Sequence, residues 1–529
     1  MRFVATRVLP ALIVVGVVLA LIFGTSDDPV GQGSERAALS AQPLLRPVAR
    51  RAAVPRRPHV ILLILDEFPA DSLLARDGRI DPVRYPNFAA LAGNATWFPN
   101  AHTVYDSTTK AVPLILDGIR PRPGTSADRS GHPRSIFDMF ARRRYRIVSA
   151  EEASAICPPR FCRGAPTRRP AILPHLGHGR PERFERFLRT IRPGRPGFWV
   201  KHMLLPHGPY LYLPSGAQTR PGARDPLPGM LSVPGFHDPF LTRHNEQRYL
   251  LQLGYVDGLI GRLLRRLDQL NMYDDTLIAV TADHGFAWQV GVETRRSVRD
   301  WNVEELAPVP LIVKAPGQRR PRINRAYART LDVAPTIADV LDFRLGYRTD
   351  GRSAFSDAVR RLRVVRLPTR DFSAIVRLSG RRWEARRRRV VRRRLRQLGS
   401  GDWASLYTGI GPNRALLGRR TDELQPAAAT RARASIARES AFSDVRRATG
   451  IVPTQIAGDL RGPRAGRKRD LAVAVNGRIE AVGRSFYLKG DVTEHFALNV
   501  PEASLREGQN TVELFEVGAG GRLRLLATA

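Results

Sequence analysis

The chain has 529 residues, of which 43% are hydrophobic, so it is too long for one ordinary domain and can bury a sizeable core. Its formal net charge of +36, which comes mainly from arginine, favours an acidic neighbour such as nucleic acid, anionic lipid or another acidic polymer. With only two cysteines in the chain, a four-cysteine zinc site is excluded.

The N-terminus begins with an apolar segment of about 16 residues, Val8 to Phe23, which follows Arg2 and Arg7. Basic residues before an apolar segment stay in the cytoplasm. We therefore expect residues 1–25 to be a signal anchor or transmembrane helix rather than a cleaved signal peptide. This predicts a single-pass membrane protein with an extracytoplasmic body. Export excludes nucleic acid as a partner and leaves anionic membrane lipid or an envelope polymer.

Residues 26–57 carry Gly, Ser, Pro and Arg without hydrophobic periodicity, which predicts a linker. The first predicted strand follows, because Val60 to Leu65 is an uninterrupted apolar run. Such a run is typical of a strand buried on both faces in a parallel sheet. Asp66 and Glu67 come directly after it.

A second apolar run, Leu277 to Ala282, ends at Asp283 and His284. Ligands of open α/β folds bind beyond the carboxyl ends of their strands. If the two strands lie side by side, three carboxylates and an imidazole surround one point, and their mutual repulsion requires a cation. An isolated Asp-His pair would otherwise be an ordinary turn.

The two cysteines, Cys157 and Cys162, lie five positions apart in the sequence Cys-Pro-Pro-Arg-Phe-Cys. In an exported protein this spacing favours a small disulfide loop over two free thiols.

Several motifs occur in an order that resembles the sulfatase branch of the alkaline phosphatase superfamily. They are Asp66-Glu67, Tyr85-Pro86-Asn87-Phe88, Asn100-Ala101-His102-Thr103, Thr108 ten residues before Gly118, and Ala282-Asp283-His284-Gly285. The resemblance extends over residues 58–355. It implies an α/β catalytic domain of alkaline phosphatase/sulfatase-like architecture, a three-layer sandwich with a mostly parallel central sheet.

The resemblance implies a nucleophile at Thr108. Sulfatases carry Cys or Ser at this position, which is oxidised to formylglycine, and threonine cannot undergo that reaction. Thr108 followed by Val112-Pro113 resembles instead the phosphoethanolamine transferases, and lipoteichoic acid synthases also use threonine. Thr109 is the alternative nucleophile, and a helix cap is the structural alternative for this segment.

A threonine hydroxyl needs a metal ion to lower its pKa. The ligands implied here are Asp66, Glu67, Thr108, Asp283 and His284. One imidazole among oxygen ligands favours a single zinc ion, with calcium or manganese as alternatives.

Other residues are expected to act on the substrate. His202 and His207 match the His-x-x-x-x-His-Gly-Pro run of the phosphoethanolamine transferases, so His207 would be catalytic, protonating the leaving oxygen, while His202 would support substrate binding. Lys110 is a further candidate for substrate binding. Arg295 and Arg296 occupy the region where those transferases have another histidine, and a guanidinium there could clamp an anionic oxygen.

After the catalytic domain, residues 356–465 form a basic, arginine-rich connecting region. Within it, the stretch Arg381 to Arg396 is expected to be an exposed helix or loop, either solvated or lying on anionic headgroups. Residues 466–529 contain alternating apolar runs around Asn476-Gly477, which predicts a small β-sandwich.

Together these features predict a membrane-anchored hydrolase or transferase that acts on phosphodiesters through a phospho-threonine intermediate. Sulfate-ester hydrolysis is the alternative within the same class. A catalytically silent, envelope-binding protein that keeps the fold is the alternative from another class.

Overall fold

The computed structural model describes residues 57–162, 165–166, 168–222, 225, 227, 229–230, 236–291, 296–463 and 466–528. The predicted membrane anchor and all but the last residue of the predicted linker lie outside these ranges. Among the helices that are described, none is both long and apolar enough to cross a bilayer.

The strands, in chain order, are β1 (His59–Asp66), β2 (Thr96–Trp97), β3 (Arg146–Ala150), β4 (Gly197–Pro206), β5 (Thr276–Ala282), β6 (Leu311–Lys314), β7 (Arg322–Ile323), β8 (Val364–Pro368), β9 (Ile375–Ser379), β10 (Arg433–Ile436), β11 (Gln455–Arg461), β12 (Asp470–Val475), β13 (Arg478–Arg484), β14 (Glu494–Asn499), β15 (Val512–Val517), β16 (Leu523–Leu525) and β17 (Ala527–Thr528).

The helices are α1 (Pro86–Gly93), α2 (Thr108–Asp117), α3 (Ile136–Arg142), α4 (Ile172–Gly177), α5 (Arg180–Thr190), α6 (Pro239–Gln269), α7 (Val303–Leu306), α8 (Val333–Val340), α9 (Asp357–Arg360), α10 (Gly380–Leu398) and α11 (Ala404–Thr408).

The central sheet has the strand order β3-β4-β1-β5-β6-β2-β7. Strands β3, β4, β1 and β5 are parallel, whereas β6 pairs with β5 and β2 in antiparallel fashion. The predicted α/β class with a mostly parallel sheet is thus confirmed. β1 and β5 are neighbours, with Leu65 opposite Ala282, so the two polar strand ends meet as the sequence predicts.

β1 is buried on both faces because helices cover both sides of the sheet. Ile61, Leu63 and Leu65 point into an apolar cluster with α1 and α6. Val60, Leu62 and Ile64 point into a second cluster with α2, α3 and α8. Side chains alternate between the two faces of a strand, so this three-layer arrangement accounts for six consecutive apolar residues.

The longest described helix, α6, begins well before the amphipathic segment that the sequence shows from Tyr255 onward. Its N-cap is Asp238, whose side chain accepts the Leu241 N–H, and Pro239 occupies the first turn. The middle of α6 is buried on almost all sides, so its sequence has no single apolar face there.

The C-terminal region contains two four-stranded sheets, β14-β11-β10-β17 and β13-β12-β15-β16. Buried residues of both sheets share one apolar cluster with α6. β10 and β11 belong to the range 356–465, which the sequence analysis assigned to a connecting region. In the structure β11 pairs along its length with β14, so strands before residue 466 also belong to the C-terminal sheets.

The basic helix α10 differs from the exposed segment expected from its composition. Trp383, Leu395 and Leu398 on one face are buried, and so are Arg387 and Arg394. Arg387 donates to both carboxylate oxygens of Asp71. The exposed arginines lie on the rest of the helix, at Arg381, Arg382, Arg388, Arg389, Arg392 and Arg396.

Candidate metal centre

Three neighbouring parallel strands, β4, β1 and β5, deliver polar residues to the same edge of the sheet. Asp66 ends β1, Asp283 and His284 follow β5, and His207 follows β4. One ligand atom from each of Asp66, Asp283 and His284 lies within 4.8 Å of the other two. All three side chains are buried. We refer to these three residues as the metal cluster.

The metal cluster has the chemistry of a cation site. Burial raises the pKa of Asp66 well above its usual range, and the negative charges of Asp283 and Glu67 raise it further. The Asp283 Oδ2 atom is buried without a hydrogen-bond partner in the described part of the chain. A divalent cation would offset the repulsion and fill this coordination position.

Hydrogen bonds fix how His284 is presented to a metal. Its Nδ1–H donates to the Gly285 carbonyl oxygen over 2.9 Å. In that tautomer the Nε2 lone pair faces Asp283 Oδ2 at 3.4 Å, and two acceptors facing each other favour a cation nearby. A Cβ atom at Gly285 would lie 2.5 Å from the Glu305 carbonyl oxygen, so glycine permits this close approach.

Thr108 is the first residue of α2 and points toward the metal cluster. Its Oγ1 lies 3.4 Å from Asp66 Oδ1 and 3.4 Å from His284 Nε2. The positive end of the helix dipole is therefore close to Thr108, where it favours negative charge on an attacking oxygen or a bound phosphoryl group. The alternative nucleophile, Thr109, instead has its hydroxyl 3.5 Å from Ser107 Oγ.

Glu67 lies at the edge of the metal cluster with different contacts from those expected for a ligand. Its Oε1 is 3.4 Å from His207 Nε2 and 3.3 Å from Arg296 Nε. It is absent from the group of described residues whose ligand atoms converge within 4.8 Å. Its backbone N–H donates to Asp283 Oδ1, and its φ is +56°, an uncommon conformation for a residue with a side chain.

Arg296 is the arginine that the structure places beside the metal cluster. The negative charges of Glu67, Asp66 and Asp283 raise its pKa, against the effect of burial. Its side chain is still 32% exposed, which leaves part of the guanidinium accessible to a substrate. Arg295, the other predicted anion clamp, lies outside the described residues.

His207 is held in place by residues that no sequence motif identified. Its Nδ1–H donates to the Gly208 carbonyl oxygen over 2.6 Å, which turns Nε2 toward Glu67. The Arg180 guanidinium of α5 and the Gln252 amide of α6 both donate to the His207 carbonyl oxygen. Arginine is so frequent in this sequence that Arg180 gave no distinguishing signal.

Two predicted substrate-binding residues lie away from the accessible part of the site. His202 is enclosed within β4 with no exposed surface, and burial lowers its pKa to about 4. Lys110 points along the loop that follows α2, where its ammonium group donates to the Arg122 and Thr125 carbonyl oxygens.

The sequence analysis did not identify Asp106 and Arg370. Asp106 lies two residues before Thr108 and accepts the Val298 N–H through Oδ2. Arg370, from the loop between β8 and β9, donates to the Asp106 carbonyl oxygen over 2.8 Å. The β8–β9 hairpin thus contacts the segment that leads into α2. The Cys157–Cys162 disulfide is present in a different part of the domain.

Comparison with known proteins finds relatives that match parts of this chain. The multifunctional alkaline phosphatase superfamily protein PehA of Trinickia caryophylli is 35% identical over 100 residues, 18% of this chain and 19% of PehA. The choline-sulfatase of Rhizobium meliloti (strain 1021) is 31% identical over 105 residues, 20% of each protein. These matches cover about a fifth of each relative's length.

Solved structures show low sequence identity to the chain. The phosphonate monoester hydrolase of Agrobacterium radiobacter is 17% identical, with a TM-score of 0.43, over 63% of this chain and 83% of that structure. A 2-O GAG sulfatase is 13% identical, with a TM-score of 0.46, over 63% of this chain and 87% of that structure. The family comparison covers more: the sulfatase family model matches residues 58–343, more than half of the 529 residues, and the chain therefore belongs to the sulfatase family.

Proposed function

We propose that the chain is a metal-dependent hydrolase or transferase of phosphodiesters that uses Thr108 as its nucleophile. The observation that carries the proposal is the position of the Thr108 hydroxyl, 3.4 Å from both Asp66 Oδ1 and His284 Nε2 at the N-terminus of α2. A hydroxyl in this position is next to the groups that would hold a cation. Family membership alone does not specify the ester.

Asp66, Asp283 and His284 would hold one divalent cation, with the Thr108 oxygen beside it. A bound cation lowers the pKa of a coordinated hydroxyl and neutralises charge on the group being transferred. One imidazole among oxygen donors supports zinc, which prefers four N or O ligands. Calcium prefers six or more oxygens, and manganese is the third candidate. Elemental analysis of the purified protein identifies the metal.

The reaction proceeds through two displacements at phosphorus. The Thr108 hydroxyl loses its proton to solvent as its oxygen attacks; the bond from that oxygen to phosphorus forms, and the bond to the leaving alcohol oxygen breaks. His207 gives a proton from Nε2 to the leaving oxygen. Water, or an acceptor alcohol in a transferase, then gives its proton to the neutral His207 as it attacks phosphorus, and Thr108 leaves and regains a proton from solvent. Arg296 binds the anionic phosphoryl oxygens, because a planar guanidinium pairs well with them.

The test compares Thr108→Ala with the matched variant Thr109→Ala, using bis(p-nitrophenyl) phosphate as substrate. We expect Thr108→Ala to lower kcat by at least about a thousandfold, because the covalent step is lost. Thr109→Ala should retain most activity, and both variants should retain the metal. Mass spectrometry of quenched wild-type protein should find phosphate on Thr108. Full turnover by Thr108→Ala would eliminate the proposed nucleophile.

Sulfate-ester hydrolysis is the second candidate, because the chain belongs to the sulfatase family and a choline-sulfatase is among its relatives. Sulfate-ester hydrolysis comes second because the residue at position 108 is threonine, which cannot become formylglycine. A higher kcat/KM for p-nitrophenyl sulfate than for the phosphodiester would reverse this order. Failure of metal-loaded, folded protein to cleave either ester would favour the catalytically silent, envelope-binding alternative.

The proposed setting is the outer face of a membrane, with residues 1–25 as the anchor. The apolar run Val8 to Phe23 supports this location. Six exposed arginines on α10 support an anionic lipid or envelope polymer as partner, at about 1 kcal/mol per basic residue near such a surface. Protease treatment of intact cells tests the location: a body resistant to added protease until the cells are lysed would contradict it.

A further inference from the structure

A cavity lies where the catalytic part of the chain meets the C-terminal sheets. It contains about 390 Å³ of space free of protein atoms, part of which is open to solvent. Thr219 and Arg220 line one side, and Arg438, Phe442, Pro453 and Gln455 line the other. The two sides are joined by backbone hydrogen bonds from Gln218 N to the Gly450 oxygen and from Val452 N to the Gln218 oxygen, each 2.8 Å long.

The cavity lining contains polar atoms that the described protein does not satisfy. They are Arg220 Nε and Nη1, Thr219 Oγ1, and both the nitrogen and the oxygen of the Gln455 amide. A buried polar group without a partner loses the hydrogen bonds that water gives it in the unfolded chain, which is unfavourable. Five such atoms around one space indicate a ligand that can both accept hydrogen bonds and, at the Gln455 oxygen, donate one.

The charge of the cavity is positive. Burial lowers the pKa of Arg220, and the nearby charges of Arg438 and Arg248 lower it further, while Asp225 raises it. Asp225 is already paired with Arg248. No ion pair within the described ranges involves Arg220 or Arg438. Two arginines at one cavity, with the nearby Asp225 carboxylate already paired to Arg248, favour an anion between them.

We infer that this cavity is a second oxyanion-binding site, separate from the metal cluster, in which Arg220, Arg438, Thr219 and the Gln455 amide bind a sulfate or phosphate group. The inference does not depend on which ester the metal cluster cleaves. Thr219 N donates to the Leu211 oxygen over 2.8 Å, and Leu211 follows His207 by four residues. Four residues span at most about 14 Å, so the two sites can serve one extended anionic ligand.

The test is calorimetric titration of the purified full chain with inorganic sulfate and, separately, inorganic phosphate at constant ionic strength. We expect Arg220→Gln to weaken the binding of sulfate or phosphate at the cavity at least about tenfold, because a hydrogen bond to a charged group contributes about 1.5 to 3 kcal/mol. Arg433→Gln, which removes an exposed arginine of β10, is the matched charge control and should leave binding unchanged.

A second variant, Thr219→Val, keeps the charge and the side-chain shape. It should weaken the binding of sulfate or phosphate at the cavity severalfold. It keeps the inference testable if Arg220→Gln does not fold. Vesicles containing phosphatidic acid distinguish a lipid headgroup, whose binding would also depend on Arg220, from a free oxyanion. Identical isotherms for wild type, Arg220→Gln and Thr219→Val, or equal weakening by Arg433→Gln, would overturn the inference.

Discussion

Single hydrogen bonds determine which atoms of the metal cluster are available. Gly285 accepts from His284 Nδ1, and the Glu67 and His284 backbone N–H groups both donate to Asp283 Oδ1. These bonds leave His284 Nε2 and Asp283 Oδ2 directed toward the space beside Thr108. The ring orientation of His284 and the side-chain rotamer of Asp283 are therefore set before any cation binds.

Replacement of Asp283 by Asn should remove metal while preserving most of the fold. The amide is isosteric but neutral, and it places an N–H or a weaker acceptor where a carboxylate oxygen is needed. Loss of an outer hydrogen-bond partner typically costs 10 to 100-fold in metal affinity, so loss of a ligand should cost at least about 100-fold. Metal content after dialysis checks this. Asp300→Asn, at an exposed carboxylate, is the control, and unchanged metal in Asp283→Asn would refute the ligand assignment.

His202 should make the protein less stable in acid. Its pKa is lowered from 6.5 to about 4 by burial, so the unfolded chain binds its proton more readily than the folded chain. The free energy of unfolding is therefore highest above pH 6.5 and falls by up to about 3 kcal/mol as the pH falls toward 4. His202→Gln should flatten this slope in urea unfolding series, relative to wild type and to the exposed control His178→Gln. Parallel slopes for all three proteins would count against it.

Helix α10 shows that the arginine content of a segment does not predict how exposed its residues are. The face with Trp383 and Arg387 packs on the catalytic part, and other arginines on α10 have acidic partners there, such as Arg393 with Glu305. The exposed arginines of α10 face solvent, whereas the buried ones stabilise the packing of the helix on the catalytic part. Arginine can do both because its long stem is apolar and its head forms several hydrogen bonds.

Arg387→Ala should destabilise the protein strongly, whereas Arg389→Ala should not. Arg387 is buried and donates to Asp71, to Asn100 Oδ1 and to the Pro99 carbonyl oxygen, so its loss leaves the Asp71 carboxylate buried without its main partner. Breaking such a pair typically costs about 3 to 5 kcal/mol. The exposed Arg389 should change stability by less than about 0.5 kcal/mol. Urea midpoints measure both; equal midpoints for the two variants would show that α10 is not anchored this way.

The sequence predicts the pairing of β1 with β5 and the convergence of their polar ends for a physical reason. Uninterrupted apolar runs can only be strands or helices buried on both sides, and the polar residues that end them can only lie at the sheet edge. The sequence does not predict the first half of α6 or the anchoring role of Arg387. Burial on all sides removes the helical period from the sequence of α6, and no local pattern distinguishes a buried arginine from an exposed one.

At the scale of the whole molecule, the catalytic part and the C-terminal sheets share one apolar core. Phe496 of β14 and Tyr249 of α6 belong to the same buried cluster. The Asn499 amide of β14 also donates to Gln247 of α6 over 2.7 Å. The described residues from 57 to 528 accordingly belong to a single compact unit.

Calorimetry should therefore show one unfolding transition that includes both the catalytic part and the C-terminal sheets. Phe496→Ala removes a fully buried ring and should cost about 3 to 5 kcal/mol, lowering the midpoint of the whole transition. Val492→Ala, at a residue that is 94% exposed, is the control and should leave the midpoint unchanged. Two separated transitions, with only one shifted by Phe496→Ala, would show that the parts fold independently.

The position of β1 also has a consequence for synthesis. β1 is the first strand of the central sheet to be made, yet its partners β4 and β5 begin at Gly197 and Thr276. At about 5 to 20 residues per second, β5 is completed roughly 10 to 40 s after β1. The run Val60 to Leu65 has both edges open until β4 is made and one edge open until β5 is made, which is the condition for strand-to-strand aggregation. We therefore expect a nascent chain of this protein to need shielding from other chains until its second half is made.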